Sequence, residues 1–321
     1  VIGALSFDFI NGFHDTANAI ATSVSTKALK PRHAIILASL MNFIGALTFT
    51  GVAKTITSGI VDPFTIENGS IVILSALISA IAWNLITWYY GIPSSSSHAI
   101  IGSIVGAAIA ASGFGSINYL GFSKILQALF LSPVLAFIIG YIIFSIFKVL
   151  FRNHSLTKSN NRFRRIQIIT AAFQAYTHGT NDAQKAMGII TLALIANNYH
   201  ETLDIPFWVQ LSCALAMGLG TSVGGWRIIR TVGNKIMKIR PVNGVAADLS
   251  SASIILGATF FHLPVSTTHV ISSSILGVGA SQRAKGVNWG TAQAMVFTWI
   301  VTLPASAVLA GIVYYVLNFI I

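Results

Sequence analysis

Charged residues are scarce in this chain, because Asp, Glu, Lys and Arg together make up 8% of its 321 residues. A soluble domain carries about 25% charged residues, so the composition excludes an ordinary water-soluble globular protein. Hydrophobic residues make up 54% of the chain, and the mean hydropathy is +0.77. The sequence therefore predicts an all-α integral membrane protein, since a helix satisfies its own backbone hydrogen bonds inside a lipid bilayer.

Cysteine and acidic residues are also rare. The single Cys213 excludes an intramolecular disulfide. Only eight Asp and Glu residues oppose nineteen Lys and Arg residues, which gives a net charge of +11. Such a charge could indicate nucleic-acid binding. The bases are concentrated in short stretches between apolar segments, however, so we expect contact with lipid headgroups and no nucleic-acid partner.

Apolar segments follow one another along the whole chain. The first residue, Val1, already lies in one of them, so we expect a native N-terminus upstream of it. The predicted segments are 1–25, 34–58, 69–92, 98–111, 125–151, 166–196, 207–226, 244–262, 269–280 and 289–321.

One polar motif interrupts two of these segments in the same way. Residues 11–19 read NGFHDTANA and residues 178–186 read HGTNDAQKA, with Asp15 and Asp182 at matched positions. Each copy places a glycine, an amide and an acid in the middle of an apolar run of membrane length. Such groups persist in a bilayer only where they line a cavity, so the motif predicts two broken helices around a site.

A second motif follows each copy of the first. Pro93–His98 reads PSSSSH, and Pro264–His269 reads PVSTTH. We predict that each forms the tip of a re-entrant hairpin, although two full crossings would fit the topology equally well. A run of hydroxyls at a helix start favours anion binding over simple capping, because capping needs one hydroxyl. With two broken helices and two tips, four helix N-termini are expected to converge near the midplane.

The repeated order of the two motifs predicts a two-fold internal repeat. Residues 1–151 form the first inverted repeat and 166–321 the second, joined by a basic cytoplasmic linker at 152–165. Inverted repeats with paired interruptions are typical of secondary transporters, whose substrate site lies where the repeats meet.

The placement of charge predicts the orientation. If each hairpin returns to its starting side, one side carries fifteen of the nineteen Lys and Arg residues, in stretches 27–32, 152–165, 227–240 and 283–285. The opposite side carries the loop acids Asp62, Glu67, Glu201 and Asp204. Basic loops stay in the cytoplasm, so the sequence predicts a multi-pass protein of the cell (inner) membrane with these stretches inside.

The residues expected to carry the chemistry come from both motifs. A carboxylate beside an amide oxygen suits a hard cation or a proton, whereas an ammonium with hydroxyl and amide donors suits an oxyanion. The substrate-binding candidates are Asp15, Asn18, Ser95, Ser96, Ser97, Asn181, Asp182, Lys185, Ser266, Thr267 and Thr268. The coupling-ion candidates are Asp15, Asn18, Asp182, Asp8 and His14.

Other polar residues in apolar surroundings leave two interpretations open. Asp8 has no counterpart in the second repeat, so it could serve coupling or only packing. For Asp248, packing near the cytoplasmic entrance is favoured. His98 and His269 recur in register, and a structural role is favoured over titration or contact with the tip.

Both copies of the first motif resemble the paired signatures of the inorganic phosphate transporter (PiT) family, in particular its bacterial Pit-type branch. The resemblance covers nearly the whole chain and implies a cation-coupled phosphate symporter of two inverted repeats that forms a homodimer. In sodium-coupled members both signatures read Gly-x-Asn-Asp-x-x-Asn. Here His14 replaces the first Asn and Lys185 the last Asn of the second copy. These departures favour protons over sodium, and the bacterial branch is associated with neutral metal–phosphate as substrate.

Alternatives remain within and outside this interpretation. The carrier could be sodium-coupled, or it could carry another oxyanion such as sulfate. An intramembrane hydrolase would use a Ser with His98 or His269, but the Ser/His sets are duplicated and no oxyanion-hole partner is identifiable. We therefore expect no enzyme activity and no cofactor beyond the coupling cation, H⁺ or Na⁺. The sequence does not identify a metal site.

Overall fold

The structure is a computed structural model of the chain. It describes residues 1–62, 64, 68–152, 156–225, 228–229 and 231–321, and for residues 16–18, 156–159 and 234 it describes the backbone only. Within these residues the regular structure is helical, apart from an isolated bridge between Val61 and Ile117.

Eleven α-helices of the described residues account for the apolar segments. They are α1 (Ile2–Ser25), α2 (Pro31–Ala46), α3 (Gly51–Gly59), α4 (Gly69–Tyr90), α5 (Ser96–Ser112), α6 (Tyr119–Leu150), α7 (Leu156–Ala196), α8 (Phe207–Val223), α9 (Pro241–Phe260), α10 (Thr267–Arg283) and α11 (Trp289–Ile320). The expected segment at 34–58 consists of two helices, α2 and α3, which meet at a bend of 69°.

The prediction of broken helices is wrong. Both α1 and α7 run without interruption through the polar motif. The glycines do not break these helices; they allow another helix to cross at close distance. A Cβ on Gly12 would lie 2.6 Å from the carbonyl oxygen of Met217 in α8, and one on Gly179 would lie 2.3 Å from that of Asn42 in α2. Because the two helices are continuous, only the hairpin tips remain as helix N-termini at the site, not the four expected.

The same two crossings carry a second glycine on the opposite helix. A Cβ on Gly220 of α8 would lie 2.0 Å from the carbonyl oxygen of Phe9, and one on Gly45 of α2 would lie 2.2 Å from that of Tyr176. Each crossing therefore joins one helix from 1–151 with one from 166–321. Small residues on both sides let the two backbones approach closely.

Two further helix pairs also join the halves. In the α5–α11 pair, a Cβ on Gly102 would lie 2.4 Å from the carbonyl oxygen of Leu303. In the α10–α6 pair, a Cβ on Gly277 would lie 2.0 Å from the carbonyl oxygen of Phe137. The buried apolar side chains form two clusters, and each cluster contains residues from both halves. The halves therefore interlock through all four pairs.

Three described helices, α4, α6 and α11, are long and apolar enough to cross a membrane, and the bent pair α2–α3 is a possible fourth span. The long helices α6 and α11 expose Leu, Ile, Val and Phe side chains along their length. Such surfaces suit contact with lipid, so the length and composition of these helices indicate a multi-pass membrane protein.

The basic stretches are linked to one another at one end of the helices. The α7 helix begins at Leu156, so most of the linker 152–165 is helical, while Arg227 and Arg230 lie outside the described residues. The links are hydrogen bonds from Thr26 Oγ1 to Gln167 Oε1 (2.6 Å), from Lys148 Nζ to Ser281 O (3.1 Å) and from Asn288 N to Ile236 O (2.8 Å).

The loop acids lie among a different set of contacts. Lys54 Nζ lies 2.5 Å from Asp204 Oδ1, and this hydrogen bond lowers the pKa of the exposed Asp204 carboxyl. Ser70, at the start of α4, donates to Asn197 at 2.8 Å, and Glu67 lies outside the described residues.

Candidate functional site

The two hairpin tips begin their second helices in the same way. Gly91 ends α4 with φ +66°, a conformation that favours glycine, and Pro93 follows it. Ser95 Oγ then accepts from His98 N at 3.1 Å, and Ser266 Oγ accepts from His269 N at 3.3 Å. The Ser95 and Ser266 hydroxyls are thus N-caps, which leaves the two hydroxyls that follow each of them for other partners.

Asp15 receives donors from both tips. Ser96 of the first tip donates to Oδ2, and Thr268 of the second tip donates to Oδ1 at 3.0 Å. His14 Nδ1 lies 2.6 Å from Oδ1. Asp15 is buried, so the polar groups around it replace the water that the carboxylate loses.

Asp182 is the matched centre in the second half. Lys185, one helical turn later, donates to Oδ1, and Thr267 of the second tip donates to Oδ2 at 2.9 Å. His178 Nε2 lies 3.1 Å from Oδ2, and its Nδ1 lies 3.0 Å from Asn42 Oδ1. The Asp182–Lys185 pair is fully buried, as the spacing of three residues predicts for one helix face.

The two tips also contact each other. Ser97 of the first tip donates to the carbonyl oxygen of Val265 in the second tip at 2.9 Å. Asn181 is hydrogen-bonded to the backbone of the second tip. Its Oδ1 accepts from Val265 N at 3.2 Å, and its Nδ2 donates to Leu263 O at 3.2 Å. Asn181 was predicted to bind substrate, and in the structure it positions the tip.

A polar chain around His14 was not found from the sequence. His14 Nε2 lies 3.2 Å from Thr87 Oγ1, and Ser94 donates to the same Thr87 oxygen at 2.7 Å. Thr87 lies in the last turn of the apolar helix α4 and belongs to no sequence motif. Only its proximity to His14 in the structure identifies it as part of this chain. In the second half Asn181, which occupies the position matching His14, donates to Thr259 Oγ1 at 3.1 Å.

The remaining candidates divide into three groups. The side chain of Asn18 lies outside the described residues. Asp248 accepts from Thr22 at 2.7 Å and from Thr170 at 3.0 Å, so it joins helices as the packing interpretation requires. The rings of His98 and His269 lie 4.5 Å apart, centroid to centroid, in a structural contact.

A cavity of about 750 Å³ opens beside these two histidines, between α6 and α11. Its lining is almost wholly apolar, with Phe130, Phe297 and Trp299 among the side chains, so it does not suit an anion. Among the described residues no group of three His, Cys, Asp or Glu side chains is arranged to hold a metal ion.

Taken together, the site contains two buried acids, a base beside each acid on the same helix, and hydroxyls from both tips. Hydroxyls can both donate and accept, so the same groups can turn from a carboxylate towards a bound oxyanion. The arrangement suits reversible binding of a small anion.

Comparison with known proteins agrees with this chemistry. The sequence profile described as "Phosphate transporter family" matches residues 11–310. The chain is 74% identical over 321 residues to the "Probable low-affinity inorganic phosphate transporter" of Bacillus subtilis, covering 100% of this chain and 96% of that protein. It is 44% identical to the protein of the same name from Rhizobium meliloti, covering 97% and 93%.

A solved structure shares the fold. The structure named "The sodium-dependent phosphate transporter" matches with a TM-score of 0.89 at 27% identity, covering 100% of this chain and 98% of that one. The relatives are transporters, so the hydrolase alternative is set aside. The PiT resemblance is confirmed, and the chain belongs to the phosphate transporter family.

Proposed function

We propose that this protein is a secondary active carrier that imports inorganic phosphate across the cell membrane. The observation that carries the proposal is that both tips reach Asp15 and that the second tip also reaches Asp182. Thr268 of the second tip reaches Asp15 of the first half, while Thr267 beside it reaches Asp182 of the second half. A tetrahedral oxyanion placed there would meet hydroxyls from both halves at once.

Hydroxyls and helix starts would hold the phosphate. Ser96 and Ser97 open α5, and Thr267 and Thr268 open α10, so their backbone N–H groups belong to the first turn of a helix. These N–H groups have no partner within the helix and favour an anion. On binding, the hydroxyls of Ser96, Thr267 and Thr268 would turn from the acids to phosphate oxygens.

The charges of the site favour a proton as the coupling cation. Each acid already has a base beside it, His14 with Asp15 and Lys185 with Asp182. Lys185 balances the charge of Asp182, and a proton on His14 would balance that of Asp15, so no sodium ion is needed to hold the carboxylates. Asp15, Asp182 and His14 are the groups of the site that can take up a proton, and Asn18 would complete a cation site in the sodium-coupled alternative. The related solved structure is named as sodium-dependent, which supports that alternative for its own protein.

The architecture supports alternating access between two inverted repeats with re-entrant hairpins. The glycine-lined crossings are matched, α1 with α8 and α2 with α7, as repeats of opposite orientation require. The linked basic stretches would face the cytoplasm, which makes the Asp204 side external. We also propose that the carrier works as a homodimer, in which the exposed apolar faces of α6 and α11 are available for the dimer contact.

Uptake of labelled phosphate into proteoliposomes tests the proposal. An inward proton gradient at constant sodium should drive accumulation, whereas a sodium gradient at constant pH should not. Strict dependence on sodium would refute proton coupling and leave phosphate import standing. Excess sulfate that abolishes uptake would point to a broader oxyanion carrier, and loss of uptake on chelating divalent cations would identify metal–phosphate as the substrate.

A further inference from the structure

Three buried polar side chains outside the phosphate site have no hydrogen-bond partner among the described residues. The unpaired groups are both carboxylate oxygens of Asp8 and the complete side-chain amides of Asn11 and Asn84. All three side chains are 0% exposed. Buried polar groups are nearly always paired, and an unpaired carboxylate costs more than an unpaired amide. This cluster therefore requires an occupant.

Helix register relates the heights of the three side chains. His14 of α1 contacts Thr87 of α4, 73 positions later, and Gly3 of α1 lies against Leu77 of α4, 74 positions later. Two contacts at nearly the same offset show that α1 and α4 run parallel in fixed register. The same offset sets Asn11 level with Asn84, and Asp8 lies about one turn before Asn11 on α1.

The charges around Asp8 do not neutralise it. Asp182 and Lys185 of α7 lie within electrostatic range of Asp8, but Lys185 already donates to Asp182, so that pair carries no net charge. The titratable group of α8 near Asp8 is the thiol of Cys213. The α4 helix contributes the neutral amide of Asn84. A cation or a proton at Asp8 would therefore balance the charge of its carboxylate.

We propose that Asp8, Asn11 and Asn84 form a monovalent-cation site, separate from the phosphate site, that holds the coupling cation. A carboxylate with two amide oxygens is a ligand set for a hard cation, and the carboxylate alone accepts a proton. The inference rests on the proposed function, because it assigns a place to the cation that drives phosphate import.

Distance keeps this site apart from the bound phosphate. Asp8 and Asp15 are seven residues apart on one continuous helix, which corresponds to about 10 Å along its axis. Asn11 lies between them, so a cation at Asp8 and an anion at Asp15 attract each other without touching. Binding of one then favours binding of the other, which is the coupling that a symporter needs.

Proteoliposomes with Asp8→Asn and Asp8→Glu test the site. Two rates are measured for each variant: exchange of labelled phosphate without any gradient, and accumulation driven by a proton gradient or by a sodium gradient. We expect Asp8→Asn to reduce accumulation at least tenfold more than exchange, and Asp8→Glu to restore accumulation. The gradient that drives the wild type identifies the cation as H⁺ or Na⁺.

Asn84→Ala gives an independent measurement. Loss of one oxygen ligand to a charged group should raise the half-saturating cation concentration about tenfold, with the KM for phosphate changed much less. Equal loss of exchange and accumulation in Asp8→Asn, or full accumulation in that variant, would overturn the site. Wild-type protein that exchanges no phosphate would instead refute the proposed function, and the site with it.

Discussion

Replacing Lys185 with Met should leave Asp182 as an uncompensated acid in the protein interior. Both side chains are 0% exposed, so water cannot take the place of the lost ammonium. Removing one partner of a buried pair costs about 3–5 kcal/mol. Thr267 and His178 still face the second carboxylate oxygen, so the lower end of that range applies.

The double variant Asp182→Asn/Lys185→Met removes both charges and provides the matched control. Such a neutral pair is often as stable as the original, so most of the loss should be recovered. At about 2 °C per kcal/mol, the single variant should melt about 6 °C or more below the wild type in detergent, and the double variant should lie between them. Equal melting temperatures for the single and double variants would refute the electrostatic reasoning.

Transport separates the two roles of Lys185. The double variant should be stable but inactive, because it lacks the ammonium that we propose as a ligand of phosphate. Lys185→Arg keeps the charge, so we expect it to retain more phosphate affinity than Lys185→Asn. Equal KM values for these two variants in a phosphate uptake assay would show that the charge of Lys185 does not contact the substrate.

Three further variants test the site and the fold. Asp15→Asn should abolish net phosphate uptake while the protein still elutes as a folded species, and near-normal uptake would remove Asp15 from the site. Thr268→Val should weaken phosphate binding roughly 10- to 100-fold, since a hydrogen bond to a charged group contributes about 1.5–3 kcal/mol; Ser145→Ala, on the lipid-exposed α6, is the control, and equal binding isotherms would contradict the assignment. Gly179→Ala should destabilise the protein because its Cβ would lie 2.3 Å from a backbone oxygen, whereas Gly257→Ala meets nothing within 4 Å, and equal melting temperatures would refute the close crossing.

The sequence predicted which side chains come together at the site better than it predicted the backbone conformation of the helices that carry them. Asp15, Asp182 and the two hydroxyl tips were found because each occurs twice in the same order, and the structure brings all of them together. The glycines at 12 and 179 were misread as breaks. In the sequence of one segment, a glycine that ends a helix cannot be distinguished from a glycine that allows another helix to approach. Which helix lies opposite depends on the whole fold.

Contacts between helices that are far apart in the sequence could not be predicted for the same reason. Nothing local links Thr87 to His14 or Asn42 to His178, because these pairs depend on helix register. Asn181 shows a further limit. Its role as a ligand of the substrate stays a prediction, whereas its hydrogen bonds to the backbone of the second tip could not be predicted from the sequence.

The interlocked pairing of helices has a consequence for how the protein is made. The face of α5 that carries Gly102 packs against α11, the last described helix to leave the ribosome. During synthesis, α5 and its tip must therefore wait in the bilayer without their final neighbour while the second half is inserted. Any chain stopped before α11 would leave a glycine-rich groove facing lipid, a feature by which quality-control proteases could recognise unfinished copies.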